Sequence, residues 1–161
     1  MSISTGDRLP DGEFVIKTDD GMEKRSVADI FDGRKVVLVA VPGAFTPTCT
    51  NQHLPGFLDH ADTIKAKGVD EICLVSVNDA HVMNAWAEQT GGKGKVTFLA
   101  DGNGAFAAAI GQDIDLGVAG MGKRSKRYAL LADDRVVKVF NVEDNPGQAE
   151  KSSAAAIIEA L

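Results

Sequence analysis

Residues 35–50 read KVVLVAVPGAFTPTCT, and this stretch decides the fold class. Residues 35–41 are almost all apolar and mostly β-branched, which is typical of a strand buried on both faces of a sheet. Pro42 and Gly43 end this strand pattern, because both residues favour turns. A helical pattern begins soon afterwards. A buried strand followed by a short loop and a helix is the repeating unit of α/β proteins, so we predict that class.

The rest of the chain continues this alternation of strands and helices. A helix is predicted over residues 50–67, ending at Gly68. The other predicted strands cover residues 13–17, 71–77, 96–100, 128–132 and 135–141, with a helix after Asp79 and another at residues 154–161. Early strands separated by helices pair in parallel, and the last two strands form an antiparallel hairpin. We expect a mixed central sheet with helices on both faces. The thioredoxin-like fold, here with an N-terminal strand extension, has this order of elements.

Length and composition narrow the class of protein. A chain of 161 residues predicts one domain spanning residues 1–161. The net charge of −6 argues against nucleic acid as the main partner. No apolar run approaches the ~18 residues that a membrane span needs. Residues 1–7 lack the basic and apolar regions of a signal peptide, so we expect a cytoplasmic protein that does not bind membranes.

The two cysteines have different sequence surroundings. Cys49 is predicted in the first turn of a helix, where unpaired backbone N–H groups and the helix dipole stabilise a thiolate. Thr46, three residues earlier, is near enough to interact with that sulfur. A buried structural cysteine is the alternative at position 49; its polar neighbours Thr48 and Thr50 argue against it, and position alone leaves both open. Cys73 lies in a predicted buried strand and is interpreted as an inert core residue.

Residues 41–49 (VPGAFTPTC) contain the pattern P-x-x-x-T-x-x-C and resemble the active-site signature of the peroxiredoxins. The closer similarity is to the type II, peroxiredoxin-five-like (atypical) subfamily. Further matching segments follow in the family's order and span most of the chain: HLPGF at 53–57, SVND at 76–79, Trp86, LAD at 99–101 and KRY at 126–128. The resemblance implies a thiol-dependent peroxidase that reduces hydrogen peroxide and organic hydroperoxides, without a metal or other cofactor.

The resemblance also implies roles for individual residues. Cys49 would be the peroxidatic nucleophile, and Thr46 would hydrogen-bond the thiolate and the peroxide. Pro42 would shield the site from water, and Arg127 would supply a guanidinium. These roles make chemical sense, because thiolate attack on an O–O bond places negative charge on the departing oxygen. The product on the enzyme would be a sulfenic acid.

Three further residues are expected at the rim of the substrate site: Gly43, Phe45 and His53. Arg127 also has a simpler interpretation, as part of a solvated basic turn that includes Arg124. Arg124 is the second candidate for the functional guanidinium.

The route by which the sulfenic acid is reduced is predicted from the absence of a resolving cysteine. Some type II peroxiredoxins carry a resolving cysteine after the last strand, but residues 145–153 (NPGQAEKSS) contain none. We therefore expect an external thiol to reduce the sulfenic acid, either glutathione with glutaredoxin or thioredoxin. The family also forms dimers near the active-site loops, which implies a homodimer through Phe45, Pro47 and the helix of Trp86.

Four other interpretations of motifs in this sequence are possible. The reactive thiol could serve a peroxide sensor or a binding switch, which differs from a peroxidase only in turnover. A thiol–disulfide oxidoreductase usually needs C-x-x-C, and Thr46 occupies one of those positions. Residues 117–123 (GVAGMGK) nearly match a nucleotide-binding P-loop, but Arg124 replaces the required hydroxyl. A metal site at Cys49 and His53 lacks further ligands, because His60 is ~10 Å further along a helix.

Overall fold

The computed structural model describes residues 2–161. These residues form one seven-stranded sheet and one two-stranded sheet, together with several helices. The strands are β1 (Glu13–Thr18), β2 (Gly21–Ser26), β3 (Lys35–Ala40), β4 (Glu71–Ser76), β5 (Thr97–Ala100), β6 (Asp113–Asp115), β7 (Lys123–Ser125), β8 (Tyr128–Asp133) and β9 (Val136–Val142). The helices are α1 (Val27–Phe31), α2 (Leu54–Asp59), α3 (Ala61–Ala66), α4 (Ala80–Thr90), α5 (Ala105–Ala109) and α6 (Ala154–Ala160). A π-helical turn covers Cys49–His53, and a 3-10 turn covers Gly117–Ala119.

Seven strands form the main sheet in the order β2-β1-β5-β4-β3-β8-β9. Strands β3, β4 and β5 are parallel, and every other pairing in this sheet is antiparallel. The hairpin β1–β2 is the predicted N-terminal extension, and it joins the sheet where Val15 pairs with Ala100. Strands β6 and β7 form a separate small sheet. The predicted mixed sheet is therefore confirmed, with its parallel centre and its late antiparallel hairpin.

The sheet separates two apolar clusters, which explains the continuous apolar sequence of β3. Val37 and Val39 belong to one cluster, together with buried residues of α2, α3, α4 and α6. Val36 and Leu38 point the opposite way, into a cluster with buried residues of α1 and α5. Helices thus cover both faces, as predicted. Because successive strand residues alternate between faces, a strand at the centre of such a sheet needs apolar side chains throughout.

The helix predicted over residues 50–67 is wrong in detail. The chain instead forms the π-helical turn Cys49–His53, then α2, then α3 after a break at His60. In the π turn, the Leu54 N–H bonds to the Cys49 carbonyl five residues earlier. Pro55 follows directly and has no N–H to continue the regular α-helical ladder, which accounts for the irregular start.

Several short elements were not predicted from the sequence: β2, α1, α5, β6 and β7. The turn between β8 and β9 also lies one residue later than expected, at Asp134 and Arg135, which both have positive φ (47° and 71°). Short elements bury few side chains and therefore carry little periodic signal. Among residues 2–161, no helix combines the length and the apolar character needed to cross a membrane.

Candidate active site

The loop between β3 and the π turn is held in place by a few hydrogen bonds. The Ala44 N–H donates to Asn78 Oδ1 at 3.0 Å, which ties this loop to the loop after β4. Ser76 Oγ donates to the same amide oxygen at 2.6 Å. Within the loop, Thr46 Oγ1 donates to the Gly43 carbonyl at 2.7 Å. The carboxyl ends of two neighbouring parallel strands therefore fix the start of the helix that carries Cys49, which is where open α/β sheets place their ligands.

Cys49 is the first residue of the π turn, and its side chain is fully buried. The next residue is also held, because Trp86 Nε1 donates to Thr50 Oγ1 at 3.1 Å. The free thiol at Cys49 lies in the apolar cluster that also contains Val39, Val41 and Leu54. A thiol in such a place needs a polar partner if it is to become an anion.

Arg127 is that partner. It lies directly before β8 and is only 2% exposed. Its three nitrogens have three different acceptors: Nη2 donates to Cys49 Sγ at 3.0 Å, Nη1 to His53 Nδ1 at 3.0 Å, and Nε to the Pro146 carbonyl at 2.9 Å. Burial strengthens the attraction between the guanidinium and a thiolate. The planar geometry of arginine lets it serve three fixed acceptors at once. The interpretation of Arg127 as part of a solvated turn is therefore wrong.

His53 does not lie at the rim of the site, as the sequence analysis expected. It is 2% exposed, because one turn of helix directs it inward beside Cys49 and against Phe57. Its Nδ1 faces Arg127, and its Nε2 lies 2.8 Å from the Ser152 carbonyl. Arginine can only donate and a carbonyl can only accept, so the ring is neutral with its proton on Nε2. Burial lowers the pKa of His53, the charge of Arg127 lowers it further, and the value falls to about 4.

Thr46 and Pro42 both lie in the loop between β3 and Cys49, but Thr46 does not make the hydrogen bond to Cys49 that was expected. Pro42 is buried two residues after the end of β3. The Thr46 hydroxyl gives its proton to the Gly43 carbonyl, and no hydrogen bond joins it to Cys49 Sγ among residues 2–161. Because the hydroxyl proton is already used, Thr46 Oγ1 can still accept a hydrogen bond from a bound molecule.

Gly43 and Phe45, the other two expected rim residues, differ in exposure. Gly43 is buried, and a Cβ added there would lie 3.1 Å from Met121 Cε and 3.2 Å from Arg124 Nη1. Arg124 makes no hydrogen bond to Cys49 Sγ among residues 2–161, and its Nε donates to the Met121 carbonyl at 2.8 Å. Phe45 is 44% exposed, has a φ of 66° and packs at a tilt on Trp86. Phe45 alone of the three therefore lies at the surface.

The sequence model of the Redoxin family matches residues 4–158. The chain belongs to the Redoxin family. Peroxiredoxin-2C of Oryza sativa subsp. japonica is 50% identical over 160 residues, which cover 99% of this chain and 98% of that protein. The chloroplastic Peroxiredoxin-2E-2 of the same organism is also 50% identical, over 99% of this chain and 73% of its own length.

A solved structure agrees with this assignment. The crystal structure of reduced Prx3 from Vibrio vulnificus in complex with hydrogen peroxide has a TM-score of 0.93, with 47% identity over 98% of both chains. The predicted peroxiredoxin family, thioredoxin-like fold and thiol-dependent peroxidase activity are confirmed by these similarities. The alternative of a peroxide-sensing switch is not favoured by them.

The second cysteine of this peroxiredoxin is remote from the first. Cys73 lies in β4 and belongs to the apolar cluster with Leu38 and Val75, on the opposite face of the sheet from Cys49. Burial raises the pKa of the Cys73 thiol well above its usual range, and the carboxylate of Glu71 raises it further. The predicted core position of Cys73 is therefore confirmed.

The segment between β9 and α6 supplies contacts that sequence reasoning missed. Three of its backbone carbonyls accept from the site: Pro146 from Arg127, Gly147 from Thr48 Oγ1 at 3.2 Å, and Ser152 from His53. Glu143 holds the far end of this segment, because its Oε2 accepts from both the N–H and the hydroxyl of Ser152 at 2.6 Å. Backbone acceptors leave no residue-specific signal. The four-residue spacing of Cys49 and His53 was the available clue, and it pointed to a shared face.

The rejected P-loop and metal interpretations gain no support from the geometry. Strand β7 (Lys123–Ser125), rather than a helix, follows the glycine-rich segment 117–122. Both ring nitrogens of His53 already have partners, and exposed His60 bonds through Nδ1 to the Gly56 carbonyl. No group of three or more potential His, Cys, Asp or Glu ligands is found within residues 2–161.

Proposed function

We propose that Cys49 is the peroxidatic nucleophile of this peroxiredoxin, and that it reduces hydrogen peroxide and organic hydroperoxides. The observation that carries this assignment is the 3.0 Å contact from Arg127 Nη2 to the buried Cys49 Sγ. The guanidinium places a fixed positive charge and a hydrogen-bond donor beside the sulfur that would attack the peroxide. The relative from Vibrio vulnificus binds hydrogen peroxide in its reduced form, which supports the same substrate class here.

The reaction follows from the donors around the sulfur. The Cys49 thiolate attacks one peroxide oxygen, an S–O bond forms, and the O–O bond breaks with its electron pair leaving on the other oxygen. Arg127 stabilises the developing charge on that departing oxygen, which takes a proton and leaves as water or an alcohol. Thr46 Oγ1, already donating to Gly43, accepts the hydrogen bond of the incoming peroxide and orients it. Pro42 excludes water beside the sulfur. Cys49 is oxidised to a sulfenic acid.

A pair of cysteine variants tests the nucleophile. Cys49→Ser removes the thiol at the site, and Cys73→Ser is the matched control on the other face of the sheet. Hydrogen peroxide consumption is measured with glutathione and glutaredoxin, and separately with thioredoxin. We expect Cys49→Ser to lose turnover with both reductants, while Cys73→Ser keeps it. A Cys49→Ser protein that still consumes peroxide would refute the assignment.

We also propose that an external thiol resolves the sulfenic acid. Cys73 lies on the other side of the sheet from Cys49, and the segment 145–153 carries no cysteine. Neither Cys73 nor this segment therefore supplies a resolving thiol for Cys49. The external thiol attacks Cys49–SOH, forming a mixed disulfide and releasing water. A second thiol then attacks the mixed disulfide and releases the Cys49 thiol. Glutathione with glutaredoxin, or thioredoxin, has this chemistry.

Mass spectrometry after one equivalent of peroxide tests this route. We expect a gain of one oxygen without reductant, and a glutathione adduct on Cys49 when glutathione is added. An intramolecular disulfide between Cys49 and Cys73, together with loss of turnover in Cys73→Ser, contradicts it. Comparing turnover rates with the two reductants then identifies the better one.

We propose a homodimer formed through the surface around Phe45. Phe45 is an exposed apolar residue of the loop between β3 and Cys49, and exposed Pro47 lies two residues after it. A cavity between Phe45, Pro55, Leu58 and Trp86 adjoins them. An apolar surface of this kind is typical of protein interfaces. Sedimentation velocity at micromolar concentration tests for the dimer.

A cytoplasmic location is also proposed, because both cysteines are free thiols and the cycle needs a thiol reductant. Fractionation of cells expressing the full chain tests it. Recovery of the protein in an organelle or in the medium would refute this location.

A further inference from the structure

A second cavity, of about 330 Å³, lies at the opposite end of the sheet from Cys49. It is bordered by β1, by α4 and by the starts of β4 and β5. The active-site loops instead follow the ends of β3 and β4, so β4 runs from one site towards the other. The volume is within the ~300–1,000 Å³ range of small-molecule sites. The peroxidase cycle makes no use of this cavity.

The inner wall of this β1/α4 cavity is aliphatic. Ile72, Val96 and Ala87 line it and are each at most 5% exposed, and half-buried Ile16 completes the wall. Phe98 also lines the cavity, is 7% exposed and packs in a T-shaped pair with Trp86. Among residues 2–161 it is the only aromatic residue in this lining, so most of the wall that an occupant meets is aliphatic. Such a wall favours a saturated chain over a flat aromatic ring.

The mouth of the cavity carries four exposed lysines, Lys17, Lys65, Lys93 and Lys95, in a protein of net charge −6. Lys93 is paired with Asp19 at 3.5 Å and Glu88 at 3.4 Å. Within residues 2–161, the ammonium groups of the other three have no acidic partner. Lysines placed around an apolar cleft focus a positive potential into it.

The carboxylate of Glu71, which also lines this cavity, does not cancel that potential. Arg25 binds it at 3.0 and 3.1 Å, and Arg34 binds it at 2.8 Å. Burial alone would raise the pKa of Glu71, but hydrogen bonds from Arg25, Thr97 and Arg34 outweigh it and lower the value to about 2. Two guanidiniums therefore offset the one negative charge, and the mouth of the cavity remains positive.

We propose that the β1/α4 cavity binds a medium-chain acyl carboxylate. The chain lies along the aliphatic wall of Ile72, Val96 and Ile16, and the carboxylate is held by the lysines at the mouth. Lysine stems also cover part of the chain, because their methylene groups are apolar while their ammonium groups stay in water. Both halves of the ligand are needed: the wall supplies hydrophobic burial, and the lysines select an anion.

The molecule contains its own reporter for this site. Trp86 is the single tryptophan, and its ring centroid lies 5.8 Å from that of Phe98. A Cβ added at Gly92 would lie 2.8 Å from Phe98 Cζ, so the phenyl ring is closely confined on that side as well. An occupant that contacts Phe98 therefore changes the surroundings of Trp86. Trp86 in turn binds Thr50, the neighbour of Cys49.

Octanoate is the probe that tests the proposal. Binding is measured on the full chain by calorimetry, by Trp86 fluorescence and by amide chemical shifts in ¹H–¹⁵N spectra. We expect saturable binding, with the largest shifts at Thr18, Val96 and Thr97. Octanol has the chain without the charge, and butyrate has the charge without the long chain. The affinity of each should be at least about tenfold lower than that of octanoate.

Charge-reversal variants locate the site. The double variant Lys17→Glu/Lys95→Glu removes two lysines that make no side-chain hydrogen bond among residues 2–161, and it should weaken octanoate about tenfold or more. The matched control is Lys24→Glu/Lys138→Glu, which makes the same change of charge on β2 and β9 away from the cavity and should not alter binding. The cavity next to Phe45 also touches Trp86 but has no lysine in its lining, so it cannot produce this difference.

Three results would overturn the proposal. The first is no heat and no shift at any octanoate concentration below micelle formation. The second is equal binding of octanol and octanoate, which would mean that the lysines do not contribute. The third is equal weakening in the two double variants, which would mean that overall charge rather than this cavity governs binding.

Discussion

The side chains of Cys49 and Arg127, 78 positions apart in the chain, meet at 3.0 Å between Sγ and Nη2. Each comes from the end of a different element: Cys49 starts a helix after β3, and Arg127 precedes β8, the antiparallel neighbour of β3. The sheet pairing therefore brings the thiol and the guanidinium together. Because both groups are buried, the contact is protected from solvent screening, and the Cys49 sulfur depends on Arg127 for its polar partner.

Replacing Arg127 should slow the attack on peroxide. Arg127→Gln removes the fixed positive charge, and Arg127→Lys keeps a charge that cannot reach three acceptors in one plane. We expect the rate constant of Cys49 with hydrogen peroxide to fall by about 10²–10³ in Arg127→Gln, the loss typical of removing one transition-state donor. Stopped-flow fluorescence of Trp86 measures the rate.

The control for this prediction is Arg8→Gln, because Arg8 is exposed and its pair with Asp32 is long, at 3.8 Å. It should react at the wild-type rate. A wild-type rate in Arg127→Gln would remove Arg127 from the mechanism. A thermal melt of each variant separates slow chemistry from unfolding.

His53 should make the protein less stable as the pH falls. Its pKa is about 4 in the folded chain and 6.5 as the ordinary value, so the unfolded chain binds the extra proton first. Stability from this group is therefore full above pH 6.5 and is lost between pH 6.5 and 4, by on the order of 3 kcal/mol. The main physical reason is that burial disfavours the protonated ring, and the second is that this ring would face the guanidinium of Arg127.

Urea unfolding at pH 7 and at pH 4.5 measures this effect. His53→Gln has no titrating ring, so it should lose less stability than the wild type over the same interval. His81→Gln replaces an exposed histidine and should behave as the wild type. Equal pH dependence in the wild type and His53→Gln would show that the buried ring is not the titrating group.

Sequence reasoning placed Cys49 at the start of a helix after a buried strand because that setting is encoded locally. The apolar run of β3, the turn at Pro42 and the helical pattern after Cys49 are all consecutive in the chain, and the strand–loop–helix unit follows from them. The core position of Cys73 also followed from local sequence, since a cysteine inside an apolar strand is buried. The resemblance to peroxiredoxins then singled out Arg127, which local patterns alone left ambiguous.

The parts that sequence reasoning missed depend on long-range packing. His53 is four residues from Cys49, and that spacing alone did not show whether the ring faces solvent or Arg127. The carbonyls of Pro146 and Ser152 have no side-chain signature, so their contacts with Arg127 and His53 could not be read from residue types. The hydrogen-bond acceptor of the Thr46 hydroxyl is the Gly43 carbonyl, and this pairing is set by the geometry of the folded loop.

Gly43→Ala should impair activity more than stability. The added Cβ would lie 3.1 Å from Met121 Cε, and 3.2 Å from both Arg124 Nη1 and Thr46 Cγ2. Met121 and Arg124 have flexible ends that can move away, but Thr46 is held by its bond to the Gly43 carbonyl. We expect Thr46 to shift and kcat/KM for hydrogen peroxide to fall about tenfold, while unfolding changes by about 1 kcal/mol or less.

The comparison for that variant is Gly56→Ala, in α2. Its added Cβ has only Ala154 Cβ nearby, at 3.9 Å, which is an ordinary van der Waals contact, so the same substitution causes no clash. Alanine favours a helix over glycine, so this variant should be slightly more stable and fully active. Full activity in Gly43→Ala would show that the position of Thr46 is not critical.

Phe45→Asn should dissociate the proposed dimer without unfolding the chain. Phe45 has a φ of 66°, a left-handed conformation that asparagine tolerates better than phenylalanine, so the loop keeps its shape. The substitution removes the exposed ring that packs on Trp86, and a central aromatic anchor typically dominates the binding energy of an interface. We expect the dissociation constant from sedimentation velocity to rise about tenfold or more.

Met22→Asn replaces another apolar side chain of similar exposure (48%), on the edge strand β2, and should leave assembly unchanged. A Phe45→Asn protein that sediments as the wild-type dimer would place the interface elsewhere, and a wild-type monomer would remove the dimer altogether.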